Sequence, residues 1–203
     1  TGQLALYNVD LTLESGEMVF ITGHSGAGKS TLLKLVAMLE RPSRGEVWIG
    51  GKSLSQMGKA HIPNYRRRIG FIFQDPHLLY DRSVFDNIAL PLRIAGMGHS
   101  EIRRRVQAAL DKVGLLGKEK TFPLMLSAGE KQRVGIARAM VNKPTIILAD
   151  EPTGNLDPEL AQDIMFTFAQ FNELGATVMI ASHDHTLVER MQKRTIVLQK
   201  VEA

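Results

Sequence analysis

Two rhythms of apolar residues alternate along this chain. Residues 18–22 form a short, almost uninterrupted apolar run, and residues 69–73, 145–149 and 176–182 repeat it. Runs of this length without polar alternation predict strands buried on both faces. Val9, Leu11 and Leu13 instead alternate with Asp10, Thr12 and Glu14, which predicts a half-exposed strand. Residues 46–49 followed by Gly50 and Gly51 predict a further strand and its turn. Elsewhere the period is helical, over residues 29–36, 131–138 and 158–174. Ile102, Val106, Ala109, Leu110 and Val113 likewise share one helical face.

Buried strands alternating with helices predict an α/β protein with a mainly parallel sheet. The early strands add an N-terminal antiparallel β subdomain. Residues 75–140 read as an inserted α-helical subdomain, punctuated by Pro91, Gly96, Gly98, Gly114 and Gly117. We expect one domain over residues 1–203, its α/β core and β subdomain drawn from residues 1–74 and 141–203. No internal repeat or low-complexity segment interrupts it.

The first candidate chemistry sits where the strand at 18–22 meets the helix at 29–36. Gly23, His24, Ser25, Gly26, Ala27, Gly28, Lys29, Ser30 and Thr31 fill every fixed position of the G-x-x-x-x-G-K-[ST] pattern in its strand–loop–helix setting. Glycines let successive backbone N–H groups turn toward phosphate oxygens, and a helix N-terminus adds positive potential. This predicts a P-loop that holds a nucleoside triphosphate, with Lys29 on the β- and γ-phosphates and Ser30 on Mg²⁺. The strand at 145–149 then delivers Asp150 and Glu151 at its C-terminal end, where open α/β sheets bind ligands. Asp150 is the expected Mg²⁺ contact and Glu151 the carboxylate that polarises an attacking water. A third motif, Leu126-Ser127-Ala128-Gly129-Glu130, carries a capping box in Ser127 and Glu130. A helix started there is also an anion site.

Composition narrows the class. The 203 residues are 44% hydrophobic, yet no apolar run approaches the ~20 residues of a membrane span. No signal peptide is evident, and cysteine is absent, as suits a reducing compartment. The modest net charge of +4 suggests contact with anionic partners (nucleotides, lipid headgroups or an acidic loop) without specifying nucleic acid. Arg103-Arg104-Arg105 falls on the polar face of its helix, where Glu101 can pair with Arg105. Arg66-Arg67-Arg68 is expected to close a short helix. Neither run is interleaved with aromatics, so both read as solvated surface, and no specific nucleic acid is expected.

Leu126 to Glu130, upstream of Asp150, resembles the signature motif of ABC-type ATPases. Gln74 after the 69–73 strand resembles that family's Q-loop glutamine, which senses Mg²⁺ and the attacking water. Asn155-Leu156-Asp157 resembles the D-loop that crosses the dimer interface, and His183 after the 176–182 strand resembles the switch histidine at the γ-phosphate. The resemblance implies the ABC ATPase fold, ATP and Mg²⁺ as cofactors, and ATP hydrolysis involving Glu151, His183 and Gln74. It also implies a homodimer closed by ATP, in which Ser127, Ala128, Gly129 and Glu130 meet the nucleotide held by the other copy.

Finer likeness runs over nearly the whole chain to the cell-division ATPases of that family. It is carried by residues 16–31 with His24 in the phosphate loop, by residues 73–79, 102–106 and 111–116, and by the block 149–157. That block is shared with lipoprotein-release and macrolide-efflux ATPases. The likeness implies a cytoplasmic ATPase, peripheral on the inner face of the plasma membrane, that drives an integral membrane protein and signals to cell-wall hydrolases outside. Leu78, Leu79 and Tyr80 would line the groove for that partner. The alternatives are the ATPase of a lipoprotein-release or macrolide-efflux exporter, or an ATP-gated scaffold in which hydrolysis is incidental. Ala128 stands where the signature usually has glycine. The family's first strand and adenine-stacking aromatic would precede Thr1, with Tyr7 too far along to replace the latter, and Ala203 also falls early. A piece of a longer protein is expected.

Overall fold

The computed structural model describes residues 5–154 and 156–199. Its strands are β1 (Met18–Thr22), β2 (Trp48–Ile49), β3 (Lys52–Ser53), β4 (Ile69–Ile72), β5 (Ile146–Asp150), β6 (Thr177–Ala181) and β7 (Arg194–Val197). The helices are α1 (Lys29–Val36), α2 (Ile62–Arg66), α3 (Val84–Ile94), α4 (His99–Lys112), α5 (Ala128–Met140), α6 (Pro158–Glu173) and α7 (His185–Met191). Five strands form one parallel sheet in the order β4-β5-β6-β1-β7, and β2 and β3 form a separate antiparallel hairpin.

The buried strands obey the two-residue alternation of a pleated chain, with a core on each side. Met18 and Phe20 of β1, Ile147 and Ala149 of β5, and Val178 and Ile180 of β6 face one core. Val19 and Ile21, Leu148, and Met179 and Ala181 face the other, which is closed by Leu32 and Leu33 of α1. Helices α3, α4 and α5 pack on one another, and α5 also packs on β4. Ile102, Val106 and Leu110 turn inward from α4, while Arg103 and Arg104 stay exposed as the pattern predicts.

Strand register decides what meets at the sheet's C-terminal edge. Ala181 of β6 pairs with Ile21 of β1 on one side and with Asp150 of β5 on the other. The residues that follow, Thr22 and Gly23, Glu151, and Ser182 and His183, therefore emerge at one level. β6 separates the phosphate-loop strand from the carboxylate strand and brings its own C-terminal residues between them.

One expectation fails. Residues 9–13 are not a strand, although Leu11 and Leu13 do pack against the second core. A strand needs a neighbouring ladder for its backbone groups. Here the Thr12 carbonyl is taken by the Arg194 guanidinium at 3.0 Å instead. The antiparallel β portion is thus the hairpin at 48–53 alone among the described residues.

Candidate functional site

The phosphate loop leaves β1 through residues whose backbone suits glycine. Gly23 has φ +140°, and a Cβ there would stand 2.4 Å from the Leu198 carbonyl oxygen; Gly28 has φ +91°, and its Cβ would stand 2.4 Å from the Ala5 carbonyl oxygen. Gly28 is the N-cap of α1, with no side-chain cap and no acidic residue in the first turn. The N–H groups of Lys29, Ser30 and Thr31 precede the first intrahelical bond, which runs from Leu32 N–H to the Gly28 carbonyl at 2.8 Å. Lys29 arches back over the loop and donates from Nζ to the Gly23 carbonyl at 2.7 Å and the His24 carbonyl at 3.3 Å. Uncapped N–H donors, positive helix potential and an ammonium in one place fit a polyphosphate.

α2 secures the far end of α1. Tyr65 donates its hydroxyl to the Val36 carbonyl at 2.6 Å, and Arg66 donates to the Met38 carbonyl at 2.5 Å. Burial pushes the Tyr65 hydroxyl up to about 12. The helix that presents the phosphate loop is thereby fixed at its C-terminal end.

Asp150 ends β5 and is buried. Glu151 follows with φ +48° and donates its N–H to the Ala181 carbonyl at 3.0 Å. A left-handed conformation at a non-glycine residue reverses the chain at once. It leaves the Glu151 carboxylate 2.8 Å from Nδ1 of His183, with the carboxylate largely buried and the imidazole largely exposed. Two sequence-predicted residues are thus brought into direct contact. Ser30 on the loop and Asp150 on the sheet edge are oxygen donors of the kind Mg²⁺ takes.

Ser127 is the N-cap of α5. Its Oγ accepts from Glu130 N–H at 3.2 Å, while Glu130 Oε2 accepts from Ser127 N–H at 2.8 Å. That N–H, with Lys118 at 3.2 Å, holds the Glu130 carboxyl below the usual glutamate range. Ser127 and Ala128 are exposed, and the hydrogen bonds of Ser127 are local to the cap. Gln74 follows β4, exposed, on the same sheet as the carboxylates.

Of the three groove candidates, Leu78 is buried in the first core, whereas Leu79 and Tyr80 are 41% and 49% exposed. Only the latter two offer surface to a partner. Lys131 of α5 lies over the Tyr80 ring at 5.8 Å. Asp157 caps α6 by accepting from Leu160 N–H at 3.0 Å, and Leu156 packs against the core. Asn155 lies outside the described residues.

Sequence reasoning missed the residues that hold these loops. Asn87, fully buried in α3, accepts from Leu79 N–H at 2.8 Å and donates to the carbonyls of Leu79, Arg82 and Ser83. Gln132 and Arg138 of α5 bond the backbone that follows β4. A polar residue inside an apolar helical stripe is the signal that could have found Asn87.

A phosphate loop, an acidic strand end and a capped helix on one parallel sheet define a nucleotide-hydrolysing cassette. The ABC transporter family profile matches residues 6–154, and the chain belongs to that family as one of its ATPases. It is 56% identical over 197 residues to the cell division ATP-binding protein FtsE of Escherichia coli K12, covering 97% of this chain and 89% of that one. It is 45% identical over 195 residues to the methionine import ATP-binding protein MetN 1 of Burkholderia pseudomallei, covering 96% of this chain and 57% of that one. Its structure is similar to a dimeric bacterial ABC transporter cassette, MJ0796, with a TM-score of 0.91, 38% identity, and coverage of 97% of this chain and 87% of that one. A dimeric post-hydrolysis structure of the same cassette, bound to ADP and Pi, matches equally well at 0.91.

Proposed function

We propose that two copies of this chain close around two ATP molecules and drive an integral membrane protein of the FtsX type, in bacterial cell division and the regulation of cell-wall hydrolysis. In this reading the loop from Gly23 to Thr31 binds the triphosphate of one ATP, and Ser127, Ala128, Gly129 and Glu130 of the other copy close over it. Ser30, Gln74 and Asp150 hold Mg²⁺, which supplies charge compensation at the phosphates. Asn155, Leu156 and Asp157 lie along the dimer interface. Leu79 and Tyr80 meet the membrane partner, and the protein works peripherally on the inner face of the plasma membrane.

The observation that carries the hydrolytic reading is the Glu151–His183 contact at 2.8 Å. A carboxylate held by an imidazole at the sheet edge, one strand from the phosphate-loop strand, is suited to orient and deprotonate a water aimed at the γ-phosphate. Hydrolysis then yields ADP and phosphate. Glu151→Gln keeps the side chain's shape and removes its basicity, so ATP binding is retained while turnover falls at least ~100-fold, the range for losing a positioned general base. Unchanged turnover would return Glu151 to a structural role and favour the ATP-gated scaffold.

The division reading is supported by 56% identity to FtsE against 45% to MetN 1. Capture of the protein from detergent-solubilised membranes with ATP present tests it. A small four-span protein with a large extracytoplasmic loop supports division. Lipoprotein-release or macrolide-efflux subunits would move the biology to export and leave the ATPase reading intact.

A further inference from the structure

The segment that carries Gln74 is fastened to α5 at several points. Gln132 donates from Nε2 to the Phe73 carbonyl at 3.2 Å. Arg138 donates from Nη1 to the His77 carbonyl at 3.0 Å and from Nη2 to the Pro76 carbonyl. Gly135 lies so close to Pro76 that a Cβ on it would stand 2.7 Å from the proline Cβ. His77 itself has φ +45°, a conformation that a non-glycine residue keeps only where its surroundings impose it.

Arg138 is held by main chain rather than by an ion pair. Arg93, Arg104 and Arg105 each pair with a carboxylate, whereas Arg138 has no carboxylate partner among the described residues. Its half-buried guanidinium is engaged by two successive backbone carbonyls of a strained turn. A planar fork of fixed donors is well made to hold two such oxygens in one geometry. The turn it holds begins two residues after Gln74. Along the same rigid helix, Arg138 lies eleven residues from Ser127, about 16 Å at 1.5 Å per residue.

We propose that Arg138 is a positioning residue: it sets where Gln74 stands at the nucleotide and carries movements of the Ser127 end of α5 to that glutamine. The proposal rests on the reading of Gln74 and Ser127 as nucleotide-facing residues. It assigns α5 a function beyond presenting its N-terminus, since one helix then links the residues that meet the two ATP molecules of the dimer.

A double-mutant cycle in steady-state ATPase assays tests this, using the full chain with ATP and Mg²⁺. Arg138→Lys keeps the charge but loses the fork, and Gly135→Ala pushes on Pro76 from the same helix by an independent route. Each is expected to lower kcat about tenfold, short of the ~100-fold that a full ångström of misplacement can cost. The Kd for ATP, set by the phosphate loop, stays at the wild-type value. The deciding readout is coupling. In a Gln74→Ala background, already slower than wild type, Arg138→Lys should lower kcat no further, because its effect passes through the missing side chain. An equal tenfold loss in both backgrounds, or wild-type kcat in folded Arg138→Lys and Gly135→Ala proteins, would overturn the proposal. If Gln74→Ala alone leaves kcat unchanged, the reading of Gln74 falls first and the proposal with it.

Discussion

Asn87 gives the sharpest quantitative test of how the loop after β4 is held. Its side chain is wholly buried. One amide group accepts from Leu79 N–H at 2.8 Å and donates to the Leu79, Arg82 and Ser83 carbonyls at 3.0, 3.2 and 3.0 Å. Two amide hydrogens serve three carbonyls, so one bond is shared. The Ser83 carbonyl also receives Asn87's own N–H at 2.9 Å and loses least on truncation. About three independent bonds therefore disappear in Asn87→Ala, and at ~1 kcal/mol each the variant is destabilised by ~3 kcal/mol. Urea unfolding of the two proteins measures that difference directly. Hydrogen exchange should quicken first at Leu79, whose N–H the asparagine holds. Asn87→Asp keeps the acceptor for Leu79 but turns a carboxylate toward three carbonyl oxygens, so it should be worse than alanine. A loss below ~1 kcal/mol for Asn87→Ala, as for a solvated surface residue, would refute the claim that this amide fixes the loop.

Other perturbations separate structure from chemistry. Ser127→Asp retains an N-cap acceptor, so α5 and overall stability should change by less than ~0.5 kcal/mol. The new negative charge should nevertheless abolish ATP-driven dimerisation in light scattering; a dimer that survives would make Ser127 a helix cap only. Lys29→Ala should weaken ATP binding in equilibrium titration, and wild-type affinity would count against the phosphate-loop reading. Tyr65 has a folded-state value of about 12, above the ordinary ~10 of a free tyrosine. Its contribution is complete below the unfolded value and drains away as pH rises toward the folded one. Tyr65→Phe should cost ~1 kcal/mol at neutral pH by losing the bond to Val36. It should also flatten this alkaline decline, and an unaltered pH profile would remove Tyr65 as its source.

Motifs whose chemistry is local are legible in the sequence alone. The phosphate loop needs adjacent residues, and the Ser127–Glu130 capping box spans one helical turn, so both can be read from spacing. The buried strands β1, β5 and β6 are equally plain, because a short apolar run has few ways to satisfy its backbone and hide its side chains. The strand expected at residues 9–13 shows the limit of that logic. Alternation correctly turns Leu11 and Leu13 inward, but a strand is defined by its neighbour, and Arg194, 182 residues on from Thr12, takes the carbonyl that a ladder would have used. Leu78 fails as a surface candidate for a related reason. Leu78, Leu79 and Tyr80 look alike as apolar neighbours, and only the turn held by Asn87 decides which one faces the core.

The register of the central strands explains why the site can be named in pieces but not assembled from sequence. Nothing in the spacing of Glu151 and His183 says that they touch. Their contact follows from Ala181 pairing with Asp150, from β6 lying between β5 and β1, and from the left-handed turn at Glu151 that swings its carboxylate across. The same geometry leaves a single strand, β6, between that carboxylate and the phosphate-loop strand, so no residue has to reach far. Loops held from behind by Asn87, Gln132 and Arg138 then present Gln74 and Tyr80 at fixed points around a rigid edge. These three polar residues form no motif, because their partners are backbone carbonyls and N–H groups, which every sequence has. Hydrogen bonds to main chain leave no chemical signature in the partner's identity, so beyond a polar residue in an apolar stripe, as at Asn87, the framework around a site is far harder to read than its reactive groups.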